Sequence, residues 1–326
     1  MAKSFLGFEI GSSRLKISEV VNGESVRFQA IDLPDNMIQD GSIVAWEGMV
    51  DVIRESVHRY GFHSRKAALV IPDAVSYLRR VTMPRMTEEQ LLLNLPYEFH
   101  DMINGDKSDY IFDYSMIENR QDETGNGEMD LFGAAISREL MSRYSDLFRR
   151  AGLKLVKAAP RDMAIMALMN HLDPDFLSHD TALLSIGYSD TTLDIYRNGI
   201  FDTKNTIDSG VNALIRALSE QNSMDPHLAQ EYIRTNTNHV QEDPALTAVY
   251  DDIAVNVSRS LNYYSFQNRD NSLEEIYYFG GGGHIEPFMR AIAANVNLKM
   301  LPLSSFQRFS AEALMDGPAT LGICLE

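Results

Sequence analysis

Phe5-Leu6-Gly7-Phe8-Glu9-Ile10-Gly11-Ser12-Ser13, closed further on by Asn22-Gly23, has a counterpart in Ala182-Leu183-Leu184-Ser185-Ile186-Gly187-Tyr188-Ser189, closed by Asn198-Gly199. In both stretches the Ile-Gly pair leads the Asn-Gly pair by 12 positions, with no gap. Leu15, Ile17 and Val20 fall between the pairs in one copy, and Leu193, Ile195 and Tyr196 in the other. Asn-Gly favours the type I′ turn, whose twist suits a β-hairpin. Each copy therefore reads as strand, tight glycine turn, strand, Asn-Gly turn, strand. Two unrelated hairpins are the competing reading. A duplicated hairpin implies a duplicated α/β domain, with a cleft between the halves.

The composition agrees with a soluble multidomain chain. It has 326 residues, 44% hydrophobic and 23% charged, a length that suggests two or three domains. Lysine and arginine total 29 against 46 acids, a net charge of −17. Phosphate backbones and anionic lipid both need clustered cations, so neither nucleic acid nor bare membrane is an expected partner. A single cysteine, Cys324, excludes an internal disulfide framework and a cysteine-rich zinc module. No stretch approaches the roughly 18 apolar residues of a membrane-spanning helix. The sequence ends at Ile323-Cys324-Leu325-Glu326 without an amphipathic tail, so membrane attachment is expected only through a partner.

Outward from the repeat, Trp46 to Tyr60 carries Val50, Ile53, Val57 and Tyr60 at helical spacing, and Ala67 to Ile71 is a short apolar strand stopped by Pro72. Residues 74–152 read as an insert of strand, helix, strand, strand, helix. Its first helix opens on a Thr87-to-Gln90 capping box and is bent at Pro96. Its two later strands flank a polar tip at 121–127. Its last helix holds Leu140, Tyr144, Leu147 and Ala151 on one face. The expected domains are 1–73, completed by 153–180 and 303–326; the insert 74–152; and 181–302, with a small helical subdomain at about 225–270. Near the C-terminus, Glu275 to Phe279 is a buried strand that runs into Gly280-Gly281-Gly282-Gly283 and then a helix. Glu286 stands where the dinucleotide fingerprint needs glycine or alanine, and no G-x-x-x-x-G-K-[S/T] loop occurs.

Two glycine-turn hairpins followed by a glycine run resemble the phosphate-1, phosphate-2 and adenosine motifs of actin-like ATPases. Glu9-Ile10-Gly11-Ser12-Ser13-Arg14-Leu15-Lys16, Val257-Ser258-Arg259-Ser260-Leu261-Asn262-Tyr263-Tyr264 and Ala319-Thr320-Leu321-Gly322-Ile323-Cys324-Leu325 are most similar to the PilM family, relatives of FtsA that serve type IV pilus assembly. The resemblance covers essentially the whole chain. It implies an actin-like (ribonuclease H-like) fold with an FtsA/PilM-type inserted α/β subdomain. It also implies a cytoplasmic scaffold, held at the inner face of the membrane by the N-terminal peptide of a PilN-like protein, and it admits self-association. ATP would lie in the interdomain cleft against Glu9, Gly11, Ser12, Ser13, Lys16, Ser185, Gly187, Tyr188, Ser189, Gly210, Gly281, Gly282 and Gly283. Glu9 would reach Mg²⁺ through water.

The chain departs from the family pattern where hydrolysis is concerned. Ser185 replaces the acid of Asp-Ile-Gly, Gln230 and Ile233 replace the glutamate and lysine of Ala-Glu-x-x-Lys, and Asp208-Ser209-Gly210 replaces paired glycines. Hydrolysis is therefore expected to be slow or absent. The alternatives are an adaptor that has lost the nucleotide, an FtsA-like filament protein, or a sugar or small-acid kinase of the same superfold. A kinase needs an acid at the second phosphate motif, and Ser185 removes it. The scattered histidines (His58 and His63 are the closest pair) lack ligand spacing. No G-x-S-x-G elbow supports nucleophilic catalysis.

Overall fold

The computed structural model describes residues 3–119 and 127–325, so the polar tip expected at 121–127 lies outside the described residues except for Gly127. Contacts divide the chain into two units. One runs to Ile165 and takes back Ala319–Cys324; the other is Met166–Pro318 with Leu325.

The first unit opens with β1 (Ser4–Ile10), β2 (Arg14–Val21) and β3 (Glu24–Asp32). A two-residue hairpin, β4 (Ile38–Gln39) and β5 (Ser42–Ile43), leads to α1 (Trp46–Arg59) and β6 (Lys66–Ile71). There follow β7 (Ser76–Pro84), α2 (Glu88–Asn94), β8 (Tyr110–Asn119), β9 (Glu128–Ser137), α3 (Arg138–Arg150), β10 (Lys154–Pro160) and α4 (Arg161–Leu172). The main sheet has the order β10-β6-β1-β2-β3, with β1–β2–β3 antiparallel and β1, β6 and β10 parallel. Asn22 and Gly23 take φ of 52° and 84°, the two positive values that a type I′ turn demands. Met49, Val50, Ile53 and Val57 of α1 and Tyr144, Leu147 and Phe148 of α3 bury one face of that sheet. Phe8 meets Phe148 edge-on at 4.9 Å. Each such side chain stabilises the fold by about 1.5–3 kcal/mol.

The inserted sheet, ordered β7-β9-β8, has its own core of Val81, Met83, Leu91, Leu95, Phe99 and Leu131. The Thr87/Gln90 capping box is formed, and at Pro96 the helix gives way to a 3₁₀ turn over Leu95–Phe99. The expected insert 74–152 differs from this in one respect. Its last helix, α3, packs into the main core rather than the insert's, because Tyr144 and Phe148 project onto Phe8 and Trp46.

The second unit repeats the plan: β11 (Thr181–Ile186), β12 (Thr191–Arg197), β13 (Ile200–Ile207), α5 (Val211–Asn222), α6 (Pro226–Thr235), α7 (Pro244–Gln267), β14 (Glu275–Phe279), α8 (Glu286–Asn295), β15 (Lys299–Pro302) and α9 (Ala311–Asp316); α10 (Pro318–Gly322) ends the chain. Its sheet order, β13-β12-β11-β14-β15, is the first sheet's with the same parallel and antiparallel pairs. Asn198 and Gly199 repeat the positive pair at 48° and 72°. Segments 166–180 and 303–318, expected in the first domain, group with this unit instead. The cause is local: Tyr277 packs on Phe306 at 4.8 Å, and the Gly280 N–H donates to the Met315 carbonyl at 2.6 Å. Only after Pro318 does the chain rejoin the first unit, where Thr320 bonds Ser18 at 2.5 Å.

Candidate functional site

In the first unit the residues singled out from the sequence share one turn. The Gly11 N–H donates to the Arg14 carbonyl at 2.9 Å, tying β1 to β2 and leaving Ser12 exposed at the tip. With the glycine donor engaged inside the turn, the donors for a bound anion are those of Ser12 and Ser13. Glu9 and Lys16 are cross-strand neighbours, and the Lys16 ammonium donates to Glu9 Oε1 at 2.7 Å. Their side chains are 18% and 21% exposed, so the pair keeps a path to solvent.

The second unit brings its candidates together around Ile186. The Gly187 N–H donates to the Asp190 carbonyl at 2.9 Å, the same closure as at Gly11. The carbonyls of Gly187 and Tyr188 accept from the first N–H groups of α5, those of Val211 and Asn212, at 3.0 and 2.8 Å. Helix N-termini carry unsatisfied donors that often receive anions; here the turn itself satisfies them. Gly210 makes this possible. A Cβ there would stand 2.6–2.8 Å from the Gly187 carbonyl, the Tyr188 carbonyl and the Asp190 amide. The adenosine-motif glycines divide by orientation. A Cβ on Gly282 would overlap the Ile186 side chain, whereas one on Gly281 would meet nothing within 4 Å. Gly283 abuts Tyr278, whose hydroxyl pKa burial pushes upward, and Met315. Gly281 is thus the glycine open to a ligand, and Gly282 is a packing position. Ile233, where the family pattern has lysine, is buried in the core of the helical subdomain and Gln230 is half-buried.

Among the described residues, no group of three or more His, Cys, Asp or Glu side chains is arranged to hold a metal. Cys324 is buried, and that burial pushes its thiol up to about 12.

A second site lies wholly within the first unit. A cavity of about 210 Å³ opens between the inserted sheet and the end of the main one. Its floor is alternate residues of three strands: Leu78 of β7, Phe132 and Ala134 of β9, Ile111, Asp113 and Ser115 of β8. Its far wall is Ala158, Ala159 and Pro160 of β10 with Met141 and Met163. Strands β8 and β10 are each the last of their sheet, so each presents an unpaired backbone edge. The sequence reading named none of these residues. Their signal was the run of small and apolar residues on both faces of β9.

Two like sheets, each with a glycine-turn hairpin at one edge, and a small α/β insert in the first define the actin-like ATPase fold. Solved structures agree. "PilM-PilN type IV pilus biogenesis complex" superposes with a TM-score of 0.79 at 20% identity, over 98% of this chain and 97% of that one. Ethanolamine utilization protein EutJ from Carboxydothermus hydrogenoformans gives 0.61 at 15%, over 100% and 89%. MreB 5 of Spiroplasma citri, bound to AMPPNP, gives 0.56 at 13%, over 96% and 93%. No curated protein sequence matches the chain. The chain belongs to the type IV pilus assembly protein PilM family, whose model matches residues 7–318.

Proposed function

We propose that this PilM-family protein is a cytoplasmic scaffold that captures the N-terminal peptide of a PilN-like inner-membrane protein in the cavity between the inserted sheet and β10. The observation that carries this reading is the cavity: its walls are apolar and small-residued, and two sheet edges border it. An extended peptide can pair its backbone with such an edge and set alternate side chains into the floor. The solved relative with a TM-score of 0.79 is described as a complex with PilN. Among the described residues no helix is long and apolar enough to cross a membrane, so such a partner would supply the attachment. Ala134→Trp fills the floor. It should abolish binding of the fluorescent partner peptide in an anisotropy titration, with the circular dichroism of the chain unchanged. Unaltered affinity would end the proposal.

ATP binding, on the same reading, rests on Ser12, Ser13 and Lys16 of the first unit's turn, with Glu9 beside them for any Mg²⁺, and on Tyr188, Ser189 and the open Gly281 in the second unit. The support is the pair of like turns and the open face at Gly281. Turnover is slow or absent because Ser185 carries no charge to oppose the metal or orient water. Gly281→Trp tests the placement: calorimetry should show lost ATP binding in a chain that still captures peptide.

A further inference from the structure

The inserted sheet has two faces, and the cavity uses one. The other is covered by α2 and the 3₁₀ turn after it, through Leu91, Leu95 and Phe99. The outward side of that same segment carries Leu92, Leu93 and Tyr97, which are 45%, 73% and 63% exposed. Leu93 is the most exposed large apolar side chain among the described residues. Large apolar side chains exposed together within one short segment mark an interaction site more often than single exposed ones do.

The charges around it say what it fits. Residues 85–110 hold six carboxylates, including Glu88, Glu89 and Glu98, against Arg85 and Lys107 of the segment itself and Arg79 and Arg138, which reach it from neighbouring elements, so the segment keeps an acidic excess. One of the six, Asp101, is tied to Arg79 at 2.6 Å. The Lys107 ammonium sits 3.1 Å from the centre of the Tyr97 ring, so this aromatic already takes a cation on its face. We propose that the α2 face docks a second protein partner through a segment that is both basic and apolar. Cations on that segment complement the acidic rim and its apolar side chains cover Leu93 and Tyr97.

The same charges exclude the other occupants. Anionic headgroups would meet a rim of their own sign. A two-fold contact with a second copy would set the acidic rim against itself, and with a net charge of −17 the rest of that copy's surface is acidic on average. The site is also independent of the peptide cavity, because it lies on the opposite side of the inserted sheet. A chain that holds one partner on each face of the insert couples the two.

The test is photo-cross-linking of the full-length chain in its native cells. The photoreactive residue p-benzoyl-phenylalanine replaces Leu93 in one strain and Ile111, in the cavity, in another. The proposal expects a position-93 adduct with a polypeptide that is neither this chain nor the protein caught from position 111. The cross-linked segment, read by mass spectrometry, should carry net positive charge. Adding Tyr97→Lys, which removes the ring and sets a like charge against a basic segment, should cut that adduct at least tenfold and leave the position-111 adduct intact. Adducts with lipid, with a second copy, with an acidic segment or with the position-111 partner overturn the proposal, as does no adduct at position 93 or one indifferent to Tyr97→Lys. The position-111 arm reports separately on the cavity.

Discussion

Aligning the two hairpins on their Ile-Gly pairs sets Glu9 against Ser185, Lys16 against Thr192 and Ser18 against Asp194. The backbone is the same in both copies, down to the 2.9 Å bond that closes each glycine turn. The chemistry is not. In the first copy the cross-strand pair Glu9–Lys16 is an ion pair reaching solvent. In the second, the equivalent cross-strand pair is Ser185–Thr192, and the buried Thr192 hydroxyl has no hydrogen-bond partner among the described residues. The tips differ as well. The first glycine turn is open, whereas the second is locked under Gly210 and the start of α5. Duplication preserved what local turn chemistry dictates. It left free to diverge the side chains beside each turn.

The largest effect should come from the lock. Gly210→Ala drives a Cβ into three backbone atoms and should cost about 3 kcal/mol, the upper end for overpacking. Gly11→Ala, whose Cβ would meet only the Arg14 carbonyl at 3.1 Å, should cost about 1 kcal/mol. Urea midpoints of the two variants rank them, and equal losses would erase the distinction between the turns. The Asn-Gly turns give a smaller contrast. Gly23→Ala meets nothing within 4 Å and should lose only the about 1 kcal/mol of a left-handed backbone. Gly199→Ala adds a collision with Leu177 at 2.5 Å and should lose about 2 kcal/mol. Opposite in kind are the paired strand positions. Lys16→Met should weaken ATP about tenfold, close to 1.4 kcal/mol, by calorimetry. Thr192→Val should leave ATP affinity alone and raise stability by about 1 kcal/mol, since it removes a buried hydroxyl without a partner.

Much of the fold was legible because its signals are local. Asn-Gly needs only its own two residues to specify the turn, and Thr87 with Gln90 caps a helix without help from the core. What was not legible depends on which surface an element meets. The stripe Leu140, Tyr144 and Leu147 announces a buried face of α3 but not that its core is the main sheet's. The tail from 303 is expected to complete the first domain, yet Phe306 on Tyr277 and Met315 on Gly280 assign 303–318 to the second unit. The site divides the same way. The glycine run was visible, but the opposite orientations of Gly281 and Gly282 follow from packing on Ile186. The cavity residues were hidden because a strand covered on both faces, such as β9, loses the alternation that marks a single core face.

On the proposed function, the first hairpin keeps a carboxylate and an ammonium beside its turn, and Ser185 leaves the second without the carboxylate at the matching position. Steady-state ATP turnover of the natural chain and of Ser185→Asp, measured side by side with Mg²⁺, tests it most directly. The natural chain should bind ATP but turn over far more slowly than about 1 per second, the low end for typical enzymes, and Ser185→Asp should be faster. Turnover of about 1 per second or more by the natural chain, or no gain on restoring the acid, would contradict it.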